Sequence, residues 1–170
     1  MKTALVCVSV HHGNTDKIAR AMAEVLEATL LRPDEATAEV LSEFDLLGFG
    51  SGIYYSKHHK TLLSLVNRLP AARNKRVFIF STAGVSDRSV DKNLTKNHQA
   101  LRNKLIDKGF SIIGEFSCCG FNTWGYFKLL GGRNNGRPNQ DDLKKAWEFA
   151  RDLKMKAHPL TIPLERGNVA

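Results

Sequence analysis

The sequence predicts an α/β domain with an open, doubly wound parallel sheet of five strands, and three observations support that prediction. Segments of strand character alternate with segments of helical spacing along the 170 residues. The strand segments in the middle of the chain are apolar at successive positions, which is typical of strands buried on both faces of a parallel sheet. Each of these strands ends in a run of glycine and small polar residues. Alternation of this kind places helices on both faces of one sheet.

The first strand, turn and helix form a unit that is suited to hold a phosphate. Residues 4–8 are an apolar strand, residues 9–15 contain the turn, and a helical run begins at Asp16 and extends to Leu31. When a buried strand leads directly into a helix, the first N–H groups of that helix lack partners and point at the turn. Such a turn binds phosphate. It lacks the glycine spacing of dinucleotide folds and of nucleoside triphosphate loops, so it predicts a monophosphate site, with a ligand-free helix cap as the alternative.

The other elements follow from apolar runs, helical spacing and turn residues. Residues 28–31, at the end of the first helical run, have the character of a short second strand, and the turn at residues 33–36 precedes a helix start. We predict further strands at 45–50, 76–80 and 110–119, and helices at 62–69, at 94–108 and from Asp141 or Asp142 onward. Residues 1–154 are predicted to form one domain and residues 155–170 a loosely attached C-terminal tail.

Charge and cysteine content limit the partners and the compartment. The net charge of +8 would permit contact with nucleic acid, but the cations are dispersed and no nucleic-acid motif is present, so we expect no nucleic-acid partner. Three cysteines, an odd number, favour a reducing compartment over a disulfide framework. Adjacent Cys118 and Cys119 should face opposite sides of a strand and pack in the core. With no apolar stretch of 18 residues and no leader pattern, we expect a cytoplasmic protein.

The loops after the first, third and fourth strands are the candidates for a binding site. They comprise residues 9–15, 51–59 and 81–89, and they are rich in glycine, hydroxyl and aromatic side chains. In an open parallel sheet, ligands bind beyond the carboxyl ends of the strands, where the strand order reverses. Asn14 and Thr15 would add an amide and a hydroxyl beside the free N–H groups there.

The turn Ser9-Val10-His11-His12-Gly13-Asn14-Thr15 and the two later loops resemble those of the flavodoxin family, whose phosphate loop usually reads Ser/Thr-x-Thr-Gly-x-Thr. The resemblance covers residues 2–154 and implies the strand order 2-1-3-4-5 with FMN as the cofactor. It also implies that residues 9 and 12–15 hold the phosphate, that Tyr54 stacks on the flavin ring and that residues 81–86 border the ring. The candidate cofactor-binding residues are therefore Ser9, His11, His12, Gly13, Asn14, Thr15, Ser51, Gly52, Ile53, Tyr54, Tyr55, Ser81, Thr82, Ala83 and Gly84.

Three departures from the flavodoxin pattern bear on function. His12 stands where the family usually has a hydroxyl, and it would bond to phosphate only as a donor. Tyr55 follows the stacking aromatic, where electron carriers commonly have a glycine whose peptide flips. Because positive φ is costly for a residue with a side chain, we expect weaker stabilisation of the one-electron state than in a dedicated carrier. Flavodoxins are also typically acidic, whereas this chain is basic.

We predict an FMN-binding electron-transfer protein that exchanges electrons with redox proteins or a small-molecule acceptor. The alternative is a flavin-dependent oxidoreductase similar to the menaquinone-dependent protoporphyrinogen oxidases, which are basic and carry an aromatic loop after the fifth strand. Residues 120–132 are similar in character. There Trp124 and Tyr126 would meet a membrane surface, a partner or an apolar substrate, or else fold over the sheet edge as additional core. A third hypothesis is a binding module that has lost its flavin.

The chain is predicted to supply neither a catalytic side chain nor a metal site. In a flavoprotein of this kind the cofactor carries the chemistry, so no acid, base or nucleophile of the chain is required. Two histidine pairs, at residues 11–12 and 58–59, lie on the predicted ligand edge. Adjacent histidines in loops diverge, and neither pair has a carboxylate or thiolate at ligand spacing, so we expect no metal there.

Overall fold

The computed structural model describes residues 1–125, 129 and 131–157. Its elements, in chain order, are β1 (Thr3–Val8), α1 (Asn14–Leu26), β2 (Thr29–Leu31), α2 (Ala38–Ser42), β3 (Leu46–Tyr54), β4 (Lys57–His58), α3 (Lys60–Arg68), β5 (Arg76–Ala83), α4 (Asp87–Asp107), β6 (Ser111–Cys119) and α5 (Gln140–Ala157). Among these described residues no helix is long and apolar enough to cross a membrane.

Five parallel strands form the sheet in the order β2-β1-β3-β5-β6, and the two-residue β4 pairs antiparallel with β3. Since β5 and β6 are the fourth and fifth parallel strands, this is the predicted order 2-1-3-4-5, and the fold prediction is confirmed. The chain proceeds from β1 to β2 on one side and then returns to β3 on the other side of β1. The strand order therefore reverses between β1 and β3, which places a crevice beyond their carboxyl ends.

Alternating side chains of the central strands supply two separate apolar layers. On one face, Phe49 and Ile79 belong to a buried cluster with Leu62, Val66 and Leu101 from α3 and α4. On the other face, Phe78 and Phe80 belong to a cluster with residues of α1 and α5. Burial on both faces explains why these strands are apolar at successive positions.

Two glycines of β3 make room for the second layer. A Cβ atom on Gly48 would lie 2.4 Å from the Phe78 ring, and one on Gly50 would lie 2.1 Å from the Phe80 ring. Both distances are far below any real Cβ contact, so the two phenyl rings lie directly against the β3 backbone.

Several predicted boundaries were wrong. The first helix does not extend to Leu31 but ends at Leu26, because Glu27 adopts a left-handed conformation (φ 51°) and the chain then enters β2. Strand β5 continues to Ala83, so part of the predicted loop at 81–89 is strand. Helix α4 begins at Asp87 rather than at residue 94. The prediction followed apolar spacing, and the first turns of this helix are mostly polar.

The cap of the last helix differs from the prediction as well. Asn139 caps α5, since its side-chain oxygen accepts from the Asp142 N–H at 3.1 Å while the Asp142 carboxylate accepts from the Asn139 N–H at 2.9 Å. The helix includes the first three residues of the predicted tail and ends at Ala157. The rest of that tail, residues 158–170, lies outside the described residues.

Candidate functional site

A cavity of about 610 Å³ opens at the carboxyl edge of the sheet, where the strand order reverses. Its walls are the turn after β1, the end of β3 with the following hairpin, the end of β5, and the segment after β6. Twelve of the fifteen candidate residues line it, namely Ser9, His11, His12, Asn14, Thr15, Gly52, Ile53, Tyr54, Tyr55, Thr82, Ala83 and Gly84. The volume is within the usual range for ligand pockets, about 300–1,000 Å³.

The turn after β1 exposes the N-terminus of α1 to this cavity. His12 and Gly13 have φ values of 56° and 64°, and they reverse the chain directly into the helix. The first helical hydrogen bond runs from the Lys17 N–H to the Gly13 carbonyl at 3.0 Å. The N–H groups of Asn14, Thr15 and Asp16 therefore precede the helical ladder, and they form the positive end of the helix dipole.

The side chains of this turn are used in three different ways. The Ser9 hydroxyl is buried and has no hydrogen-bond partner. Thr15 Oγ1 lies 2.8 Å from Thr82 Oγ1, which joins the turn to the end of β5. The Asn14 amide Nδ2 donates to the Phe121 carbonyl at 2.7 Å, and its Oδ1 is left buried without a partner. The group of Asn14 that is left for a ligand is therefore the amide oxygen, which is an acceptor.

The aromatic wall is carried by a two-residue hairpin between β3 and β4. Tyr54 pairs with Lys57 across the hairpin, and the turn residues Tyr55 and Ser56 have φ values of 50° and 61°. Positive φ at both positions is what a two-residue hairpin of this type demands. Tyr55 therefore has a positive φ although it carries a side chain, because the hairpin imposes it.

The Tyr54 ring is half-buried within this wall. It packs edge-on against His59 at 5.4 Å between ring centroids, and Gly52 lies beneath it. Burial raises the pKa of Tyr54, which keeps the phenol neutral. One side of the ring is thus packed against the protein, and the residue lines the cavity.

Tyr55 and Trp124 stand at the mouth of the cavity. Their rings meet edge to face at 5.9 Å, and they are 84% and 67% exposed. Both residues line the cavity, so two large apolar side chains surround its entrance. Tyr126, the other aromatic singled out in this loop, lies outside the described residues.

Three candidate residues are not on the cavity wall. Gly13 contributes its positive φ, which turns the chain into α1. Ser51 and Ser81 are fully buried, and their hydroxyls bond to His58 Nδ1 at 3.0 Å and His98 Nε2 at 2.8 Å. Because side chains alternate along a strand, the residues that follow them, Gly52 and Thr82, line the cavity in their place.

The segment after β6, residues 120–139, closes the cavity at the α1 end. His12 Nε2 lies 2.8 Å from Thr123 Oγ1, and the His12 ring packs on Phe121 at 4.6 Å. Gly120 approaches Asn14 so closely that a Cβ there would lie 2.8 Å from its Nδ2. His12 is thereby joined to this segment. Over residues 120–123 the segment completes the pocket wall.

An arginine fixes the far end of the same segment. Arg137 bonds to the buried Asp142 of α5 and donates to Asp87 of α4 at 2.6 and 3.0 Å. These bonds, with one from Cys119, lower the pKa of Asp87 to about 2. The segment is therefore held between α4 and α5.

The cysteines show no sign of reactivity. Burial raises the pKa of Cys7 to about 12, and burial followed by the Asp87 bond and charge does the same for Cys119. Cys118 and Cys119 are buried in different apolar clusters, as predicted from their adjacent positions on a strand. Within the described part of the chain no group of three or more histidine, cysteine or acidic residues has the arrangement of a metal site.

Comparison with known proteins agrees with this geometry. The family described as "Flavodoxin domain" matches residues 5–114 of the chain. The chain belongs to the flavodoxin family. It is also 44% identical over 153 residues to the "Uncharacterized protein MJ0298" of Methanocaldococcus jannaschii, covering 90% of this chain and 98% of that protein.

Solved flavodoxin structures share the fold at low sequence identity. Flavodoxin 2 from Bacillus cereus matches with a TM-score of 0.66 and 16% identity, over 92% of this chain and 99% of that one. A short-chain flavodoxin associated with a PDU bacterial microcompartment matches with a TM-score of 0.68 and 14% identity, over 93% and 100% of the two chains. At such identities these likenesses establish the fold alone.

Several cavity residues of this flavodoxin-family chain were missed in the sequence. Asn93 and Asn97 come from α4, and residues 120–123 come from the segment after β6. Asn97 is only 5% exposed, and a polar residue at a helix position that faces the protein interior was a usable signal. The position of residues 120–123 over the α1 turn depends on tertiary contacts, which no local pattern encodes.

Proposed function

We propose that this flavodoxin-family protein binds FMN in the cavity at the carboxyl edge and transfers electrons through it. The observation that carries the proposal is the orphaned Ser9 hydroxyl, because Ser9 lines the same cavity as Asn14 and Thr15, whose N–H groups open α1. A buried hydroxyl without a partner, next to the positive end of a helix, fits a phosphate oxygen.

Different groups of the chain would hold the phosphate and the flavin ring of FMN. The N–H groups of residues 14–16 and the Ser9 hydroxyl would hold the phosphate, and the half-buried Tyr54 ring would support the flavin ring. Asn14 Oδ1 is an acceptor, so it suits a hydroxyl of the ribityl chain rather than a phosphate oxygen. Bound FMN would supply the redox chemistry, and the protein would position it and exclude water.

A titration of the flavin-free protein with FMN and riboflavin tests this proposal. Because the phosphate would accept several charge-assisted hydrogen bonds, FMN should bind at least about tenfold more tightly than riboflavin. Quenching of flavin fluorescence gives both dissociation constants, and an absorbance spectrum of freshly purified protein shows whether flavin is retained. Equal affinity for the two flavins, or no uptake of either, would contradict the proposal.

A flavin-dependent oxidoreductase that acts on a small apolar substrate is the second candidate. It is favoured by Tyr55 and Trp124 at the cavity mouth, since exposed aromatic rings beside a cofactor site offer a surface for an apolar molecule. If this function is correct, Trp124→Ala should reduce turnover of a quinone acceptor severalfold and leave FMN affinity unchanged. If Trp124 serves only a protein partner, quinone turnover should not change.

We further propose that the electron partners are acidic redox proteins. The sequence has no acidic residue between Asp45 and Asp87 or between Glu115 and Asp141, two stretches that contribute to the cavity walls. Lys57, which pairs with Tyr54 in the hairpin, and Lys60, the first residue of α3, are both exposed. Opposite charge accelerates encounter, so electron exchange with an acidic ferredoxin should slow as salt rises, and Lys57→Glu with Lys60→Glu should remove that dependence. Equal rates with a basic cytochrome would contradict it.

A further inference from the structure

A row of three serines crosses the sheet one residue below the cavity floor. Ser51, Ser81 and Ser117 are register partners on β3, β5 and β6. The Ser81 hydroxyl donates to Ser117 Oγ at 2.8 Å, and Ser51 and Ser81 each contact a buried histidine. The proposed function does not use these serines or the two histidines that contact them.

The hydrogen bonds around His98 define its protonation state. This ring is fully buried on α4, with Nε2 at 2.8 Å from Ser81 Oγ and Nδ1 at 2.8 Å from a Glu115 carboxylate oxygen. Because Ser81 gives its only proton to Ser117, its oxygen accepts from His98. A carboxylate also only accepts. These are the partners that an imidazolium, with protons on both ring nitrogens, requires.

His98, Arg102 and Glu115 together carry one net positive charge. Arg102 binds both Glu115 carboxylate oxygens at 2.7 and 2.6 Å, so one anion is shared by two cations. Burial works to raise the pKa of Glu115, but its bonds to His98 and Arg102 outweigh burial and lower it to about 2. Among the described residues packed around His98, the remaining titratable group is His58 on β4, at 4.9 Å between ring centroids.

His58 adds no charge of its own. It is 2% exposed, and burial followed by the positive charge of His98 lowers its pKa well below 6.5. Its Nδ1 lies 3.0 Å from Ser51 Oγ, and its Nε2 is buried with no partner in the described structure. The β4 ring that packs on His98 is thus neutral.

The charge lies directly below the proposed flavin site. Thr82 follows Ser81 on β5, and Asn97 precedes His98 on α4; both line the cavity. One residue along a strand is about 3.3 Å, so only a thin layer of protein lies between the imidazolium and the cavity. A charge in such a low-dielectric position acts strongly on whatever occupies the space above it.

We propose that the His98 imidazolium, fixed by Glu115 and Ser81, is a tuning charge that raises the reduction potential of the flavin bound above it. This inference rests on the proposed function. Reduction adds negative charge to the flavin ring, and a buried positive charge beneath the ring stabilises the reduced form more than the oxidised form. His98 is a positioning residue in this scheme, because it acts through the field and touches no ligand.

Nitrogen-15 NMR of histidine-labelled protein tests the charge without any flavin. At pH 7 the two His98 ring nitrogens should both show the shifts of protonated nitrogens, while His58 should show one protonated and one bare nitrogen. A bare nitrogen on His98 under these conditions would overturn the inference. This measurement uses the unaltered chain, so it stands even where a substitution at His98 prevents folding.

Redox titration of the FMN-loaded protein tests the effect on potential. His98→Gln should lower the midpoint potential relative to the unaltered protein. Lys144→Gln, which removes one positive charge from the exposed side of α5, should leave it unchanged. Equal potentials in the flavin-loaded His98→Gln and Lys144→Gln proteins would overturn this inference alone. Failure of the unaltered protein to take up FMN would overturn the proposed function as well.

Discussion

Buried polar atoms without partners are costly, and those of this protein are unevenly placed. In the described chain they are Thr3 Oγ1, Ser9 Oγ, Asn14 Oδ1, His58 Nε2 and Trp147 Nε1. An unsatisfied buried group of this kind costs about 1–3 kcal/mol. Ser9 and Asn14 both line the cavity, so a bound ligand can recover part of that cost.

Replacing Ser9 should weaken FMN binding without lowering the stability of the flavin-free protein. Ser9→Ala should raise the dissociation constant for FMN about tenfold, because a hydrogen bond to a charged phosphate contributes about 1.5–3 kcal/mol. The flavin-free protein should be as stable as before or slightly more stable, since an unsatisfied hydroxyl is removed. Fluorescence titration and urea unfolding measure the two effects.

Thr3 provides the matched control for that experiment. Its hydroxyl is also buried without a partner, and it lies at the opposite end of the same strand, β1. Thr3→Val should leave FMN affinity unchanged. A loss of affinity in both variants would show that the Ser9 effect is transmitted through the strand rather than made at the phosphate.

Which residues face the site was only partly predictable. Of the residues that the sequence analysis assigned to the cofactor, Ser9, Tyr54 and Thr82 line the cavity. It also assigned Ser51 and Ser81 to the ligand, although both are buried among histidines, because β3 and β5 continue further than their apolar runs. The alternation of a strand then turns every second hydroxyl away from the cavity.

Among the described elements, the β3–β4 hairpin is the one where two consecutive non-glycine residues, Tyr55 and Ser56, both have positive φ. Ser56 holds a left-handed conformation, which costs an L-residue about 1–2 kcal/mol, whereas glycine adopts it freely. After the larger unfolded-state entropy of glycine is subtracted, Ser56→Gly should stabilise the protein by about 0.5 kcal/mol. Urea unfolding of the flavin-free protein measures it.

A serine-to-glycine substitution in a helix should have the opposite effect on stability. Ser64 is exposed in α3, and Ser64→Gly should destabilise by about 0.5 kcal/mol because glycine is a poor helix former. If both glycine variants shift stability in the same direction, the strain assigned to the hairpin turn is absent.

Arg137 joins the described end of the segment after β6 to α4 and α5. Replacing this residue with Met leaves Asp142, whose side chain is 2% exposed, as a buried carboxylate without its cation. Arg137→Met should therefore destabilise by about 3 kcal/mol. Arg20→Met removes an exposed pair with Asp16 and should leave stability almost unchanged. Similar losses in the two variants would refute a structural role for Arg137.

The order of the strands and helices was predictable from the sequence. The tertiary contacts that complete the wall of the site were not. Apolar runs and helical spacing located the strands and helices because the fold is built from them. The position of Phe121 over Asn14, and of Arg137 between two helices, depends on contacts more than 40 residues apart in sequence. The composition of this segment is unusual, but composition does not predict where the segment lies in the fold.

At the scale of the whole molecule, two carboxylates connect distant parts of the chain and make the fold sensitive to acid. The folded-state pKa values of Glu115 and Asp87 are lowered to about 2, from ordinary values of 4.5 and 3.8. A carboxylate with a depressed folded pKa contributes stability above its unfolded pKa and loses it as pH falls. The free energy of unfolding should therefore decrease as pH falls from about 4.5 to about 2.

A substitution at Glu115 measures how much of the pH dependence of the free energy of unfolding comes from this residue. Glu115→Gln should lower stability at pH 7, because His98 and Arg102 lose their anion, and it should flatten the acid slope. Urea unfolding of both proteins at several pH values between 7 and 2.5 gives the comparison. Parallel slopes would show that Glu115 is not responsible.

The phenyl rings of Phe78 and Phe80 lie where side chains of Gly48 and Gly50 would otherwise project. These four positions therefore form a single packing unit spanning two neighbouring strands. An alanine at either glycine requires a smaller partner on β5, and a smaller partner alone leaves a hole beside α1. Change at the centre of this sheet is thus confined to compensating pairs, and a redesign of the interior has to begin with those pairs.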